Sequence, residues 1–291
     1  MRPVLRARGL AKRFGPGCPE CDAATGPAAG TNQCPRCGSV TACRGVSFDL
    51  YAGEVLGIVG ESGSGKSTVV RMLHFDFPPT EGRLFLDLGA NGRAPGGKPA
   101  EFTPDPDQEL FALSAFRRRA IRNEFMGIVY QNARIGLRLK VSAGGNIAER
   151  LLLAGWRRVA SMRARAAELL GRTEVPLARM DEPPRNFSGG MQQRVQIARA
   201  LSTGPAVLLL DEVTTGLDVS VQARVLDLIR ALQQELQMAT LVVTHDLGVI
   251  RLLTSRTIVM RHGGIVEAGL SDQILEDPRH PYTQLLVSSI L

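Results

Sequence analysis

Apolar residues along this chain fall into two rhythms. Short segments are apolar at every position or every second one, as strands are. Longer segments carry apolar residues three and four apart, as amphipathic helices do. Residues 4–8 predict a strand, and Val46, Phe48 and Leu50 alternate with polar neighbours in another. Residues 55–59 are apolar or glycine throughout, the pattern of a strand covered on both faces. They run into a glycine-rich loop and then a predicted helix over 68–73. From about 110 to 201 the spacing is mostly helical, with a short strand at 126–130. Strand patterns return at 206–210 and 240–244, and between them Val221, Val225, Leu228, Ile229, Leu232 and Leu236 line one helical face. Two more strands, 257–260 and 265–268, flank Gly263-Gly264 in a predicted hairpin. The succession predicts an α/β fold whose core begins before a helical block and resumes after it.

Two segments break the pattern. Residues 15–43 form a cysteine-bearing insertion, and residues 89–107, rich in Gly, Pro and Ala, read as a flexible surface insertion. With 291 residues the chain makes one large domain or two intimate lobes. Its 44% hydrophobic and 22% charged residues are ordinary for a soluble globular protein. No run approaches the roughly 18 apolar residues of a membrane span, and residues 1–6 lack the apolar core of a signal peptide. A cytoplasmic location is therefore expected, with any membrane association made through a partner. The net charge of +7 comes almost wholly from arginine, since only Lys12, Lys66, Lys98 and Lys140 are lysines. A basic balance can serve polyanions. With 5% aromatics and no basic motif interleaved with them, it reads here as a solvated surface and not as a nucleic-acid site. Arg117, Arg118, Arg119 and Arg122 are expected to face water.

The chemistry-bearing motif is Gly60-Glu61-Ser62-Gly63-Ser64-Gly65-Lys66-Ser67-Thr68, which fits G-x-x-x-x-G-K-S/T between a buried strand and a helix. Phosphates need many donors close together, so backbone must curl round them with few side chains in the way. A helix starting near Lys66 adds N–H groups and the positive end of its dipole. Lys66 supplies a point charge for the outer phosphates, and Ser67 can ligate Mg²⁺. The apolar run 208–210 ends in Asp211-Glu212. Asp211 emerges at the strand's C-terminal edge, where ligands of open α/β sheets collect, and is expected to hold Mg²⁺ through water. Strand side chains alternate, so Glu212 is expected to point elsewhere, free to orient or deprotonate an attacking water.

Further motifs carry a family resemblance. Phe187-Ser188-Gly189-Gly190-Met191 resembles the ABC signature, usually Leu-Ser-Gly-Gly-Gln, and departs from it at both ends. Gln131 stands where the family places its Q-loop glutamine, and Thr215-Gly216-Leu217-Asp218 resembles the D-loop. His245 resembles the switch histidine that contacts the γ-phosphate, and Phe14 stands in the place of the aromatic that stacks on adenine. The order of these elements is similar to that of ABC-type ATPases over the whole chain except the two insertions.

The resemblance implies a RecA-like core, an antiparallel β lobe and a helical subdomain. These divide as residues 1–107 for the first part of the core and the β lobe, 108–204 for the helical subdomain with the signature, 205–270 for the rest of the core and 271–291 for a tail. It implies ATP hydrolysis with Mg²⁺, held by Ser67, Gln131 and Asp211, and a catalytic set of Lys66, Gln131, Glu212 and His245. It also implies that Ser188, Gly189, Gly190 and Asp218 complete the ATP site of a second copy, or of a related ABC subunit, with ATP inside the dimer interface.

Within the family, residues 137–151, 218–224 and 285–291 are similar to the K subunit of the bacterial carbon–phosphorus lyase system. Residues 218–224 and 280–286 are also similar to peptide-importer ATPases. The first resemblance implies an ATPase that docks on the lyase core in phosphonate catabolism, with no chemistry on phosphonate in this chain and no direct membrane insertion. The end of the chain at Leu291 is expected to set it apart from importer ATPases that carry further cysteine-bearing sequence. An ABC importer ATPase of the peptide type is the alternative.

Cys18-Pro19-Glu20-Cys21 and Cys34-Pro35-Arg36-Cys37-Gly38 form two C-x-x-C pairs. Four thiolates suit tetrahedral Zn²⁺, and the loop 22–33, rich in Ala, Gly and Thr, has no core of its own for a metal to compete with. A rubredoxin-type iron site and redox-active or paired cysteines stay open, although a reducing cytosol disfavours a structural disulfide. Cys43 reads as a small buried apolar residue. Following Phe14 directly, the insertion is expected on the adenine side, as a docking element or a brace. Its spacing is not the C-x-x-x-C-x-x-C of radical enzymes, so no C–P cleavage is expected in it.

Overall fold

The computed structural model describes residues 2–89 and 102–289. Most of the insertion expected at 89–107, and the last two residues of the stretch 285–291, lie outside the described residues. The chain opens with β1 (Pro3–Phe14), a short α1 (Cys21–Ala24) inside the cysteine insertion, β2 (Val40–Tyr51), β3 (Val55–Val59), α2 (Lys66–Leu73) and β4 (Glu81–Leu86). The helical block holds α3 (Ala115–Phe125), β5 (Met126–Val129), α4 (Ala133–Gly136), α5 (Ala143–Leu153), α6 (Val159–Arg172) and α7 (Gly189–Ala200). Then follow β6 (Val207–Asp211), α8 (Val219–Leu236), β7 (Ala239–Thr244), α9 (Leu247–Leu253), β8 (Arg256–Arg261), β9 (Gly264–Leu270), α10 (Ser271–Glu276) and α11 (Pro281–Ser288).

The strands form two sheets. One is antiparallel, in the order β2-β1-β4, and the other runs β5-β6-β7-β3-β8-β9, parallel except for the β8–β9 hairpin at its edge. Period-two alternation explains why the parallel strands are apolar throughout. Val207 and Leu209 of β6, with Leu56 and Ile58 of β3, join the core around α2 and the antiparallel sheet. Leu208 and Leu210 turn the other way, into the core shared with α5, α6, α7 and α8. On α8 the predicted stripe is buried at Val225, Leu228, Ile229 and Leu232, with Leu226 added. The fold thereby brings the C-terminal ends of β3, β6 and β7 side by side.

Several details differ from the sequence reading. The helix after the glycine loop begins at Lys66. The insertion's last residues, from Val40, already belong to β2. The turn of the terminal hairpin is His262-Gly263, both left-handed (φ 45° and 80°), while Gly264 is in β9. That is the geometry a two-residue hairpin needs to match the twist of its strands. β4 shows no clear alternation in sequence and forms because β1 pairs with it. Arg122 is half-buried and lines a polar cavity with Arg150 and Arg199, while Arg117 and Arg119 are exposed.

The end of α2 is tied to the strand beneath it by a buried polar cluster. His74 is buried, with Nδ1 2.8 Å from an Asp76 oxygen, and the Tyr130 hydroxyl donates to the other oxygen at 3.3 Å. Burial pushes the imidazole down to about 4, against the pull of Asp76. The unfolded chain takes up this proton near pH 6.5 and the folded chain only near pH 4, so between them the unfolded state binds more protons. The contribution is complete above pH 6.5 and is lost as pH falls towards 4, by on the order of 3 kcal/mol. His74→Gln should flatten the decline of the urea midpoint over that window; an unaltered decline would assign the loss to other groups.

Candidate nucleotide-binding site

β3 ends at Val59, and the chain turns through Gly60 (φ 156°), Gly63 (φ 82°) and Gly65 (φ 101°) before α2. Two of these glycines are required by space as well as by φ, since a Cβ at Gly60 would collide with the Met260 carbonyl and one at Gly65 with the Ala42 carbonyl. No side chain caps α2, so its first N–H groups are left for an anion. Lys66 is buried, and its ammonium curls back onto the Gly60 and Glu61 carbonyls at 2.7 and 2.9 Å. Burial pulls its pKa below the usual lysine value, opposed by Glu212 and Asp211. The Glu61 N–H donates to the Tyr282 hydroxyl at 3.1 Å, so α11 braces the loop from outside.

The acidic end of β6 meets this loop. Ser67 Oγ donates to Asp211 Oδ1 at 2.8 Å across the sheet edge. Burial raises the Asp211 carboxyl, and the charge on Glu212 adds to the rise. The expectation that strand alternation turns Glu212 away is corrected by the backbone. β6 ends at Asp211, and Glu212 takes a left-handed φ of 47° with its N–H on the Val243 carbonyl at 2.8 Å. Glu212 thereby lines the cavity, while Asp211 stays bonded to Ser67 close enough to feel the Glu212 charge. Glu212 Oε2 accepts from Gln131 Nε2 at 3.0 Å and Thr215 Oγ1 at 3.2 Å, and His245 Nδ1 lies 3.4 Å away. The donor set fits Mg²⁺: the Ser67 hydroxyl, the Asp211 carboxylate and the Gln131 amide oxygen are hard oxygen ligands.

A cavity of about 420 Å³ joins these groups, a size suited to a small ligand. Ser62, Gly63, Gly65, Lys66, Ser67, Thr68, Gln131 and Glu212 line its polar end, and Phe14, Asn32, Val40 and Ala42 the other. Phe14 is 44% exposed, held edge-on to Phe77 at 5.7 Å, with the Lys12 ammonium 5.4 Å from its ring centroid. Larger cavities beside Trp156 and beside Val4 have no such convergence of phosphate donors and carboxylates.

Ser188, Gly189, Gly190 and Asp218 are not among the residues lining this cavity. Ser188 caps α7, its hydroxyl accepting from the Met191 N–H at 3.3 Å, and Ser188 and Gly189 are exposed. Gly190 faces Val221 of α8, where a Cβ would come within 2.5 Å of Val221 Cγ1. Asp218 starts α8 without a side-chain cap bond. The signature's two unusual residues share one neighbour: the Arg179 guanidinium lies 4.4 Å over the Phe187 ring and donates to Met191 Sδ at 3.4 Å.

The four paired cysteines converge. Their sulfurs all lie within 4.8 Å of one another, with Cys18–Cys21, Cys18–Cys34 and Cys21–Cys37 at 3.6, 3.7 and 3.4 Å. Tetrahedral Zn–S bonds of about 2.3 Å separate sulfurs by about 3.8 Å, so the cluster has the size such an ion needs. Gly38 is left-handed at φ 71°, and its N–H donates to the Cys34 carbonyl. Cys43 is fully buried apart from the cluster, its thiol pushed up to about 12 by burial. Two contacts with the glycine loop had no signature in the sequence: Asn32, whose Nδ2 donates to the Gly63 carbonyl at 3.1 Å, and Tyr282, which accepts from the Glu61 N–H.

This constellation defines a class. The chain matches the ABC transporter family over residues 43–215; it belongs to that family and is an ATPase of it, with a RecA-like core, an antiparallel β lobe and a helical subdomain. It is 51% identical over 247 residues to a phosphonates utilization ATP-binding protein of Escherichia coli K12, PhnK, covering 84% of this chain and 90% of that protein. Over 255 residues it is 38% identical to the oligopeptide transport ATP-binding protein OppD of Bacillus subtilis, covering 87% and 67%. Among solved structures, a dimeric ATP-binding cassette in a post-hydrolysis state, bound to ADP and Pi, is similar at a TM-score of 0.72 and 26% identity, covering 92% of this chain and 98% of that one.

Lys66→Ala removes the buried cation that the loop carbonyls hold and the charges of Glu212 and Asp211 favour. The expected outcome is loss of measurable Mg-ATP binding by calorimetry with the fold retained by circular dichroism; wild-type affinity would remove Lys66 from the site.

Proposed function

We propose that this chain is the ATP-hydrolysing cassette of a phosphonate-utilisation system, cytoplasmic and working as a sandwich dimer associated with a carbon–phosphorus lyase core. The observation that carries the reading is the split of the site. Lys66, Ser67, Gln131 and Glu212 line one cavity, with Asp211 bonded to Ser67 and His245 3.4 Å from Glu212, while Ser188, Gly189 and Gly190 at the start of α7 and Asp218 at the start of α8 have no such tie to it. In this reading a second copy brings its serine–glycine turn to the γ-phosphate, so the site is complete only in the dimer. The dimeric state of the similar ADP- and Pi-bound cassette supports it.

Phe14 stacks on adenine, the loop 60–68 wraps the phosphates, and Lys66 leaves the Gly60 and Glu61 carbonyls for the β- and γ-phosphates. When bound by Ser67, Asp211 and Gln131, Mg²⁺ neutralises charge on the phosphate oxygens. Glu212 orients the attacking water and takes its proton, held by Gln131 and Thr215, and His245 senses the γ-phosphate. Residues 108–204 move as a helical subdomain against the core of 1–107 and 205–270, and 271–291 brace the loop through Tyr282. Cys18, Cys21, Cys34 and Cys37 hold structural Zn²⁺.

Among the described residues no helix is long and apolar enough to cross a membrane. The identity to the phosphonates utilization protein supports the phosphonate assignment over the peptide-import one.

Glu212→Gln keeps shape and removes the base. Turnover should fall by about 100-fold or more, and ATP should trap a dimer on size exclusion; unchanged turnover would strip Glu212 of its role. Tagged protein recovered from cells grown on a phosphonate should bring down lyase subunits. Recovery of permease subunits in their place would move the assignment to an importer.

A further inference from the structure

The cysteine insertion does more than sit beside the nucleotide cavity, because one of its residues forms part of the wall. Asn32 lines the cavity between Phe14 and the glycine loop, and its amide nitrogen is committed to the Gly63 carbonyl at 3.1 Å. Its amide oxygen is left as an acceptor for a hydroxyl or amine of a nucleoside. Asn32 stands two residues before Cys34. Its carbonyl accepts from the Thr41 N–H at 2.8 Å, Gln33 pairs with Val40, and the Cys34 N–H donates to the Ser39 carbonyl at 2.9 Å. The knuckle is thus the closed end of a small hairpin. One arm of that hairpin carries Asn32, and the other carries Val40 and leads to Ala42, all three in the cavity wall.

A second, indirect path joins the insertion to the same loop, through the β8–β9 turn and Arg44, whose guanidinium donates to the Asp22 carbonyl. The Gly263 N–H donates to the Ser64 carbonyl at 3.0 Å, and the Gly263 carbonyl accepts from the Arg44 N–H at 2.9 Å. Pro27 packs against the neighbouring Gly264, so closely that a Cβ there would lie 2.7 Å from its ring. Among the described residues between Phe14 and Ala42, the buried hydrophobic positions are Cys21 and Cys34 alone. No apolar core holds Asn32 in place; the hairpin bonds to β2 and the cysteine cluster that closes the hairpin do so.

We propose that metal bound by Cys18, Cys21, Cys34 and Cys37 sets the position of Asn32 in the nucleotide cavity, so that metal occupancy and nucleotide affinity are thermodynamically linked. The proposal rests on the nucleotide reading of the cavity and on the zinc reading of the cluster. Both ligands select the conformation in which the hairpin lies against the loop, so each tightens the other by the same factor.

The test uses the full chain, Zn²⁺ and Mg-free ADP, so that chelators do not disturb a second metal. Zinc-loaded protein should carry one Zn²⁺ per chain by elemental analysis. Stripping it under reducing conditions should weaken ADP about tenfold, with recovery on adding Zn²⁺ back. Asn32→Ala should keep its zinc and bind ADP about fivefold more weakly. ADP should slow zinc release to a chelator in the wild type and fail to do so in that variant. Equal ADP affinity with and without zinc overturns the linkage while leaving the nucleotide site intact. A chain that takes up no zinc overturns the metal's part, and a zinc-loaded chain that binds no ADP overturns the nucleotide reading with it.

Discussion

The ammonium of Lys66 is the charge around which the site is arranged. It is buried at the start of α2, beside an uncapped helix terminus and across from Asp211 and Glu212. Those neighbours offset its desolvation only in part, and burial dominates its pKa. A buried cation bonded to loop carbonyls and the Ser64 hydroxyl, without a carboxylate in direct contact, favours a ligand that brings negative charge. The glycines at 60, 63 and 65, the short Ser67–Asp211 bond and the twisted backbone at Glu212 all keep that space open and polar. Had Glu212 stayed extended, its carboxylate would leave the space that Gln131, Thr215 and His245 share.

The parallel sheet makes this geometry stiff. Each strand that ends at the site is packed on both faces, one towards α2 and the antiparallel sheet, the other towards α8 and the helical block. Gln131 follows β5, Asp211 ends β6 and His245 follows β7, so three neighbouring strand ends fix three polar groups without help from long loops. The His74–Asp76–Tyr130 cluster clamps α2 to the residue just before Gln131, which joins the phosphate helix to the strand that carries the amide.

Much of this was legible in the sequence, because local chemistry carried it. The glycine loop between a buried strand and a helix, the Asp211-Glu212 strand end and the two C-x-x-C pairs each place their groups by spacing over a few residues. What sequence spacing could not carry was contact made at long range. Asn32 reaches Gly63, and Tyr282 reaches Glu61, across segments with no shared period. Glu212 escapes the strand rule for the opposite reason: β6 ends one residue earlier, at Asp211, and left-handed backbone at a glutamate has no marker in the sequence. The hairpin turn shifted by one residue in the same way, since His262 took the left-handed position that glycine was expected to fill.

The stacking of Arg179 on Phe187, with Met191 against the same guanidinium, has a consequence for the stiffness of the signature turn. A planar cation covered by a ring and bonded to a soft sulfur ties residues 187 and 191 together across the start of α7, and Glu182 holds the same guanidinium in an ion pair. The turn between them, Ser188-Gly189-Gly190, is thereby anchored at both flanks before anything docks on it.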